Sequence, residues 1–241
     1  MEKIDLLQKM IDEVDNIVVF TGAGVSTESG IKDFRSDDGI YSMVSKKYNK
    51  TAEYMLSHDF LYRYTKDFYE FYRNNMNLLN FLPNITHKYL KKLEEKGKLK
   101  AIITQNIDGL HTKAGNVNVY ELHGTIYKNY CVNCKKEYDA KYVFDNKFIP
   151  KCECGGLIRP NVILYGEMLP EYEFNESIKA ICSATMLIVI GTSLTVEPAS
   201  SMINLFRGKY LVIINKTKTS YDDKADLVIN DNLGNVFSKL I

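Results

Sequence analysis

Short runs of β-branched and other apolar residues recur along the chain, at 17–20, 101–104, 117–122, 162–165, 186–190, 210–214 and 226–229. Such runs, continuous rather than alternating, suit strands buried on both faces, as in a parallel sheet. Between several of them the apolar period lengthens to that of a helix, at 4–14, 87–95, 176–184 and 198–206. Strand and helix in alternation predict an α/β fold with a doubly wound parallel sheet.

Two stretches break this alternation. Residues 40–82 are rich in Tyr and Phe and read as helical, without a strand; 131–156 hold four paired cysteines, many charges and little apolar content. Both read as insertions that together form a smaller lobe. The expected division is a nucleotide-type domain of 1–39, 84–128 and 157–241, with a helical insertion at 40–83 and a cysteine module at 129–156. Ligands bind where such a lobe meets the C-terminal ends of the strands.

Composition narrows the setting. The 241 residues are 45% hydrophobic and 25% charged, ordinary for a globular protein, and 31 basic against 30 acidic residues leave a net charge of +1. No basic excess exists to hold a phosphate backbone or a membrane surface, so neither nucleic acid nor membrane is an expected partner. Charges at Glu2, Lys3, Asp5, Lys9, Asp12, Glu13 and Asp15 interrupt any secretory signal. No apolar run approaches the ~20 residues of a membrane helix. The protein is expected in the cytoplasm, acting as a monomer. In that reducing setting its five cysteines are metal ligands or free thiols rather than disulfides.

The run at 17–20 leads into Thr21, Gly22, Ala23, Gly24, Val25 and Ser26. Glycines here let backbone approach a pyrophosphate beside a helix start, although a plain tight turn reads equally well. The third glycine of the dinucleotide fingerprint is replaced by Thr27, and no acidic residue stands clearly at the end of a second strand. Asp33, Phe34 and Arg35 follow; they can pair with phosphate or ribose and cover a flat ring, or form a solvated loop with one buried Phe. A second polar group, Gln105, Asn106, Ile107, Asp108, Gly109, Leu110 and His111, ends the run at 101–104. Amides there suit ribose hydroxyls or a carboxamide, and one of them could instead cap the next helix.

Of four histidines, His58 and His87 read as helix-surface or satisfied core residues and His111 as a loop anchor. His123 differs, because it ends the run at 117–122 at the same end of the sheet as the glycine loop. An imidazole of pKa ~6.5 there can accept a proton near neutrality. Cys131-x-x-Cys134 and Cys152-x-Cys154 can form the four-thiolate tetrahedron that zinc prefers, with a redox pair as the rival reading. Four sulfurs leave no open position, so the metal would be structural. Gly155 and Gly156 would relieve the tight second pair, and Cys182 is expected to be a buried fifth thiol.

Taken in order, these segments resemble the sirtuin family over nearly the whole chain. The stretch from Gly22 to Ser26 and on to Arg35 resembles its cofactor loop. Thr104 to His111 is similar to its second signature, Glu121 to Thr125 to its histidine segment, and Arg159 to Glu167 and Gly191 to Ala199 to its substrate strand and later cofactor loop. The resemblance implies a Rossmann-like NAD-binding domain, a zinc module and an NAD-consuming protein lysine deacetylase that yields nicotinamide and O-acetyl-ADP-ribose. It implies that His123 deprotonates a ribose hydroxyl, that Asn106 orders ribose and water, and that Asp108 and Ile107 hold the nicotinamide amide. Gly22, Ala23, Gly24, Ser26, Asp33, Phe34, Arg35, Gln105, Gly191, Thr192, Ser193, Asn215 and Leu233 would complete the dinucleotide site, with Phe34 shielding the reactive carbon. A peptide would add as a strand between Ile163, Tyr165 and Gly166 on one side and the loop around Val196 on the other, over Ile107. Two departures stand out: Lys32 replaces the family's proline, and the Tyr72 of a Tyr–Arg pair that binds succinyl groups is followed by Asn75 in place of arginine. Short neutral acyl groups, acetyl first, are therefore expected unless Arg73 turns inward. A mono-ADP-ribosyltransferase and a non-catalytic NAD-sensing scaffold are the competing readings.

Overall fold

The structure, a computed structural model, describes residues 2–33, 39 and 50–241. Among the described residues, nine strands form two sheets. β1 (Ile17–Thr21), β2 (Leu99–Thr104) and β3 (Val119–Glu121) belong to the large sheet, and β4 (Gly124–Cys131), β5 (Glu137–Asp139) and β6 (Ile158–Val162) form a small one. β7 (Met186–Ile190), β8 (Tyr210–Ile214) and β9 (Leu227–Ile229) complete the large sheet. Its order is β3-β2-β1-β7-β8-β9 and every pairing is parallel. The order therefore reverses between β1 and β7, which makes the C-terminal ends of those two strands the switch point where open α/β sheets bind ligands.

Strand alternation divides β1 between two cores. Ile17 and Val19 pack with Leu7 and Ile11 of helix α1 (Lys3–Glu13) on one face. Val18 and Phe20 face the opposite core. Helices α2 (Ala52–Met55), α3 (His58–Arg63) and α4 (Thr65–Asn75) cover the small sheet, where Phe68, Phe71 and Tyr72 are buried with Ile126 and Ile158. Thr51 and Ser57 cap α2 and α3 through their hydroxyls, accepting from the amides of Tyr54 and Phe60. α5 (Ile85–Glu95) joins α1 beneath the large sheet, followed by α6 (Leu110–Lys113) and α7 (Ala140–Phe144); α8 (Glu171–Ser183) lies on the other face, and α9 (Leu233–Phe237) closes the first.

Several expectations are corrected. The strand sought at 162–165 is β6, which lies four residues earlier and runs antiparallel to β4 in the small sheet. Pro160 hid it: proline cannot donate to a ladder and is tolerated because β6 is an edge strand. The helix expected over 198–206 is a 3₁₀ segment, Ser200–Leu205, and the one expected after the glycine loop is two 3₁₀ turns, Ala23–Val25 and Thr27–Ser29. Cys182 is exposed rather than buried. It sits on the last turn of α8, whose buried face is taken by Ser177 and Ile181 instead.

Candidate active site

The two glycine loops meet at the switch point backbone to backbone. The Gly24 amide donates to the Gly191 carbonyl at 2.8 Å, and Gly22 donates to Ile190 at 3.1 Å. A Cβ on Gly24 would stand 2.8 Å from the Gly191 Cα, so the small residue is required here by the neighbouring loop as well as by any ligand. Thr192 continues this contact, its hydroxyl accepting from Gln105 Nε2 at 3.2 Å.

Ser26, at the first loop's centre, ties it to the second polar segment. Its Oγ donates to Asp108 Oδ2 at 2.7 Å and accepts from Asn106 Nδ2 at 3.1 Å, and the Leu110 amide donates to Asp108 Oδ1 at 2.9 Å. All three side chains are buried. Burial pushes the Asp108 carboxyl above the usual range, with these hydrogen bonds opposing.

His123 stands in the link between β3 and β4. Its Nδ1 lies 2.9 Å from the Gln105 carbonyl, which can only accept, so Nδ1 carries the proton and Nε2 is the bare nitrogen. Burial holds its pKa below the ordinary value, the Gln105 hydrogen bond opposing, so the ring is neutral at pH 7 and able to accept a proton. The next residue, Gly124, has φ +72°, and a Cβ there would fall 2.0 Å from the Asn161 carbonyl. Only glycine lets the chain leave His123 and cross directly onto β6.

The sequence-predicted residues converge. Gly22, Ala23, Gly24, Asp33, Gln105, Asn106, Ile107, His123, Gly191, Thr192, Ser193, Asn215 and Leu233 line one cavity of about 920 Å³, within the size range of small-molecule sites. Tyr72, Ile163, Tyr165, Gly166 and Val196 line it too. Ser26 and Asp108 border an adjoining space of about 350 Å³ that shares Ala23, Asn106 and Ile107 with the first. Phe34 and Arg35 lie outside the described residues. Arg73 does not turn inward: its guanidinium donates to the carbonyls of Val143, at 2.8 Å, and Phe148. His58 is exposed on its helix, while His87 and His111 are buried with ring centroids 4.7 Å apart. His111 anchors Thr21 at the end of β1, with 3.2 Å between Nε2 and Oγ1.

Residues the sequence did not single out brace this cleft. Asn84 caps α5 with its carbonyl oxygen and donates from Nδ2 to Val25 O at 2.8 Å and Ser29 Oγ at 3.0 Å, gripping the far end of the glycine loop. Arg159 and Glu167 make a two-pronged ion pair, Nη1 to Oε1 at 2.5 Å and Nη2 to Oε2 at 3.0 Å. The same carboxylate accepts the Leu164 amide at 2.9 Å, and Arg159 donates to Val162 O at 2.9 Å, so the pair locks the loop that carries Ile163 and Tyr165. An Asn just ahead of a helical pattern is the one local signal that could have found Asn84; its second contact, 59 residues back, has none.

The four cysteines gather at one end of the small sheet, all sulfurs within 4.8 Å of one another. Cys131 to Cys154 and Cys134 to Cys152 are each 3.5 Å apart. A zinc ion with Zn–S bonds of ~2.3 Å in a tetrahedron needs sulfurs ~3.8 Å apart, so the set fits a closed structural site. Gly155, at φ +82°, makes the tight turn of the second pair.

An open parallel sheet with paired glycine loops at its switch point, a neutral histidine in the cleft and a four-thiolate lobe define a dinucleotide-binding enzyme with a structural metal module. Residues 22–198 match the model of the Sir2 family. A Clostridium acetobutylicum protein named NAD-dependent protein deacetylase is 51% identical over 243 residues, covering 100% of this chain and 99% of its own. A solved Sir2 with p53 peptide and NAD+ superposes with a TM-score of 0.86 at 38% identity, covering 99% of this chain and 97% of that one. Another, holding deacetylated p53 peptide and 3′-O-acetyl ADP-ribose, gives 0.88 at 38% identity over 98% and 96%. The chain belongs to the Sir2 family.

Proposed function

We propose that this chain is an NAD-dependent protein lysine deacetylase in which His123 is the base, and that the cleft between the two sheets holds NAD and acetyl-lysine together. The observation that carries this is one continuous cavity running from the glycine loops at the switch point, past His123, to the loop 163–166. NAD supplies a ribose carbon that the acyl oxygen attacks as nicotinamide leaves, and with one water the products are nicotinamide, free lysine and O-acetyl-ADP-ribose. Gly22, Ala23, Gly24 and Ser193 would cradle the phosphates, Gln105 and Asn106 the nearer ribose, and Asp108 with Ile107 the nicotinamide amide. Nε2 of His123 takes the proton of a ribose hydroxyl, while the Gln105 carbonyl holds the ring in the tautomer this needs. The adjacent polar set of Ser26, Asn106 and Asp108 orders the groups around that hydroxyl.

The peptide is read as an added strand beside Ile163 and Gly166, facing Val196. Tyr165 has both backbone groups engaged, its amide with Leu56 O at 3.0 Å and its carbonyl with the His58 amide at 3.0 Å. The Ile163 amide is likewise engaged, with His123 O at 2.9 Å, so pairing falls to the Ile163 carbonyl and to Gly166, and backbone pairing gives affinity with little demand on sequence. No helix among the described residues is long and apolar enough to cross a membrane. We assign the protein to the cytoplasm, where four thiols stay reduced for zinc, and read it as a monomer. The near-zero net charge supports neither nucleic acid nor membrane as a partner.

The test is incubation with acetyl-lysine peptide and NAD, followed by mass spectrometry. Nicotinamide and O-acetyl-ADP-ribose in equal amounts are expected. ADP-ribose attached to protein without deacetylation would point to the transferase reading instead.

A further inference from the structure

Outside the cleft, three aromatic rings of the small lobe gather around one ammonium. Nζ of Lys50 stands 5.0 Å from the centre of the Tyr54 ring, 6.0 Å from that of Phe60 and 5.6 Å from that of Tyr64. All three are at or within the ~6 Å over which a ring face attracts a cation. The rings also pack on one another, Tyr54 edge-on to Phe60 at 5.2 Å and Phe60 against Tyr64 at 5.4 Å. Phe60 is buried and forms the floor, while Tyr64 keeps 46% of its exposure and forms an open rim.

The local sequence builds this cage. Phe60 and Tyr64 are four residues apart at the end of α3, so their side chains leave one face of the helix. The Ser57 hydroxyl donates to Tyr54 O at 2.8 Å and accepts the Phe60 amide at 3.1 Å, which fixes the first wall against the second. The neighbouring carboxylate of Asp59 is already paired with Arg63 at 2.6 Å, so the rings themselves are what meets a cation here.

The cage lies outside the cavity around His123 but adjoins the loop where the peptide is placed. Leu56 and His58, between its first two walls, bridge to Tyr165: the Tyr165 amide donates to Leu56 O and the His58 amide to Tyr165 O, each at 3.0 Å. Gly166, which pairs with the peptide strand, is the next residue. Lys50 is exposed, and attraction to rings at a wet surface is weak, so a cation arriving on a bound peptide can take its place.

We propose that Tyr54, Phe60 and Tyr64 form a cage for a methylated lysine ammonium, carried on the acylated protein several residues from the reacting lysine, with Lys50 as its occupant in the free enzyme. A methylated ammonium suits the cage because it sheds water cheaply and asks for ring faces rather than a carboxylate. The inference rests on the deacetylase reading and adds a second modification that the enzyme reads without altering.

The experiment uses peptides with one acetyl-lysine and one trimethyl-lysine, the latter placed in turn at each position on either side, each matched by a peptide with norleucine there. The KM ratio of norleucine to trimethyl-lysine peptide is read for the full chain and for Tyr64→Phe, Tyr64→Leu and Lys50→Ala. At one or two adjacent positions the native ratio should reach about five, the size of one surface contact of this kind, with kcat unchanged. Tyr64→Phe should keep that ratio, Tyr64→Leu should lower it at least roughly twofold, and Lys50→Ala should raise it because no internal ammonium competes. A ratio near unity at every position, or one that survives Tyr64→Leu unchanged, overturns the cage. An unchanged ratio in Lys50→Ala overturns Lys50 as its occupant. Turnover of the norleucine peptides without any preference for trimethyl-lysine leaves the deacetylase reading standing, whereas no turnover of either peptide would sink both.

Discussion

Replacing Glu167 by glutamine removes a charge that the structure makes expensive to lose. The side chains of Arg159 and Glu167 keep only 8% and 15% of their exposure, so the substitution leaves a guanidinium in a nearly dry site without its counter-ion. Breaking a buried pair in this way costs about 3–5 kcal/mol. For a chain of this size each kcal/mol lowers Tm by roughly 2–4 °C, so a fall of between about 6 and 20 °C is expected at pH 7. Because the same carboxylate fixes the Leu164 amide, KM for the acetylated peptide should rise several-fold while KM for NAD stays within about twofold. Burial acts to raise the Glu167 pKa, but the Arg159 hydrogen bonds and charge outweigh it and hold the carboxyl below its ordinary range. A carboxylate with a depressed folded pKa stabilises above its unfolded value of ~4.3 and loses that effect as pH falls through the folded one. The gap between native and variant should accordingly narrow below about pH 4. Differential scanning calorimetry, with bound zinc measured in parallel, reads the first effect and initial-rate kinetics the second. Arg159→Met in the Glu167→Gln background should cost about 2 kcal/mol less than it does alone, since no lone buried charge then remains. A Tm change under 2 °C at pH 7, or a double variant no better than the sum of its parts, would refute the reasoning.

Three further outcomes follow from the site and its supports. His123→Ala should abolish turnover while calorimetry still detects NAD binding; in the native enzyme the rate should fall on the acid side only below pH ~6.5, because burial depresses the His123 pKa and the base must be neutral. An acid limb centred above pH 7 would contradict that. Metal analysis should find one zinc per chain, and Cys134→Ser should lower both Tm and peptide turnover; a melt unaffected by the substitution argues against a structural metal. His87, whose pKa burial lowers to about 4, and His111, held well below its usual value, stay neutral when folded, so stability is complete above the unfolded pKa of ~6.5 and declines as pH drops. At pH 5.5 the loss is roughly 1.4 kcal/mol for His87 alone, readable in urea melts, and a flat profile from pH 7.5 to 5.5 would count against the burial of the pair.

How much the sequence disclosed depended on the range of the interaction. The inner strands were legible because β1 and β7 are apolar on both faces, and that alone predicts a covered parallel sheet. The cysteine spacing likewise announced four converging thiolates. β4 and β6 were not legible, since Lys128 and Asn129 interrupt one and Pro160 the other; their pairing is set by the fold around them. The glycines at 22 and 24 were read as room for a pyrophosphate, yet the nearer neighbour is another loop arriving from residue 191. Asn84 was passed over, and nothing local shows its reach back to Val25. The direction of Arg73 could not be read either, because it is decided by two carbonyls of the small lobe.

One strand joins chemistry to metal. β4 starts immediately after His123, the proposed base, and finishes on the first thiolate, Cys131, so seven peptide steps connect Gly124 to the knuckle. The length and course of that strand are constrained at both ends. The chain between Cys134 and Cys152 leaves and rejoins the same cluster, so residues inserted at its exposed turn after α7, outside β5 and α7 themselves, would shift neither anchor. Lineages descended from a common ancestor of this fold should accordingly differ in size mainly inside that thiolate-bounded excursion, while the span from His123 to the first sulfur keeps its count.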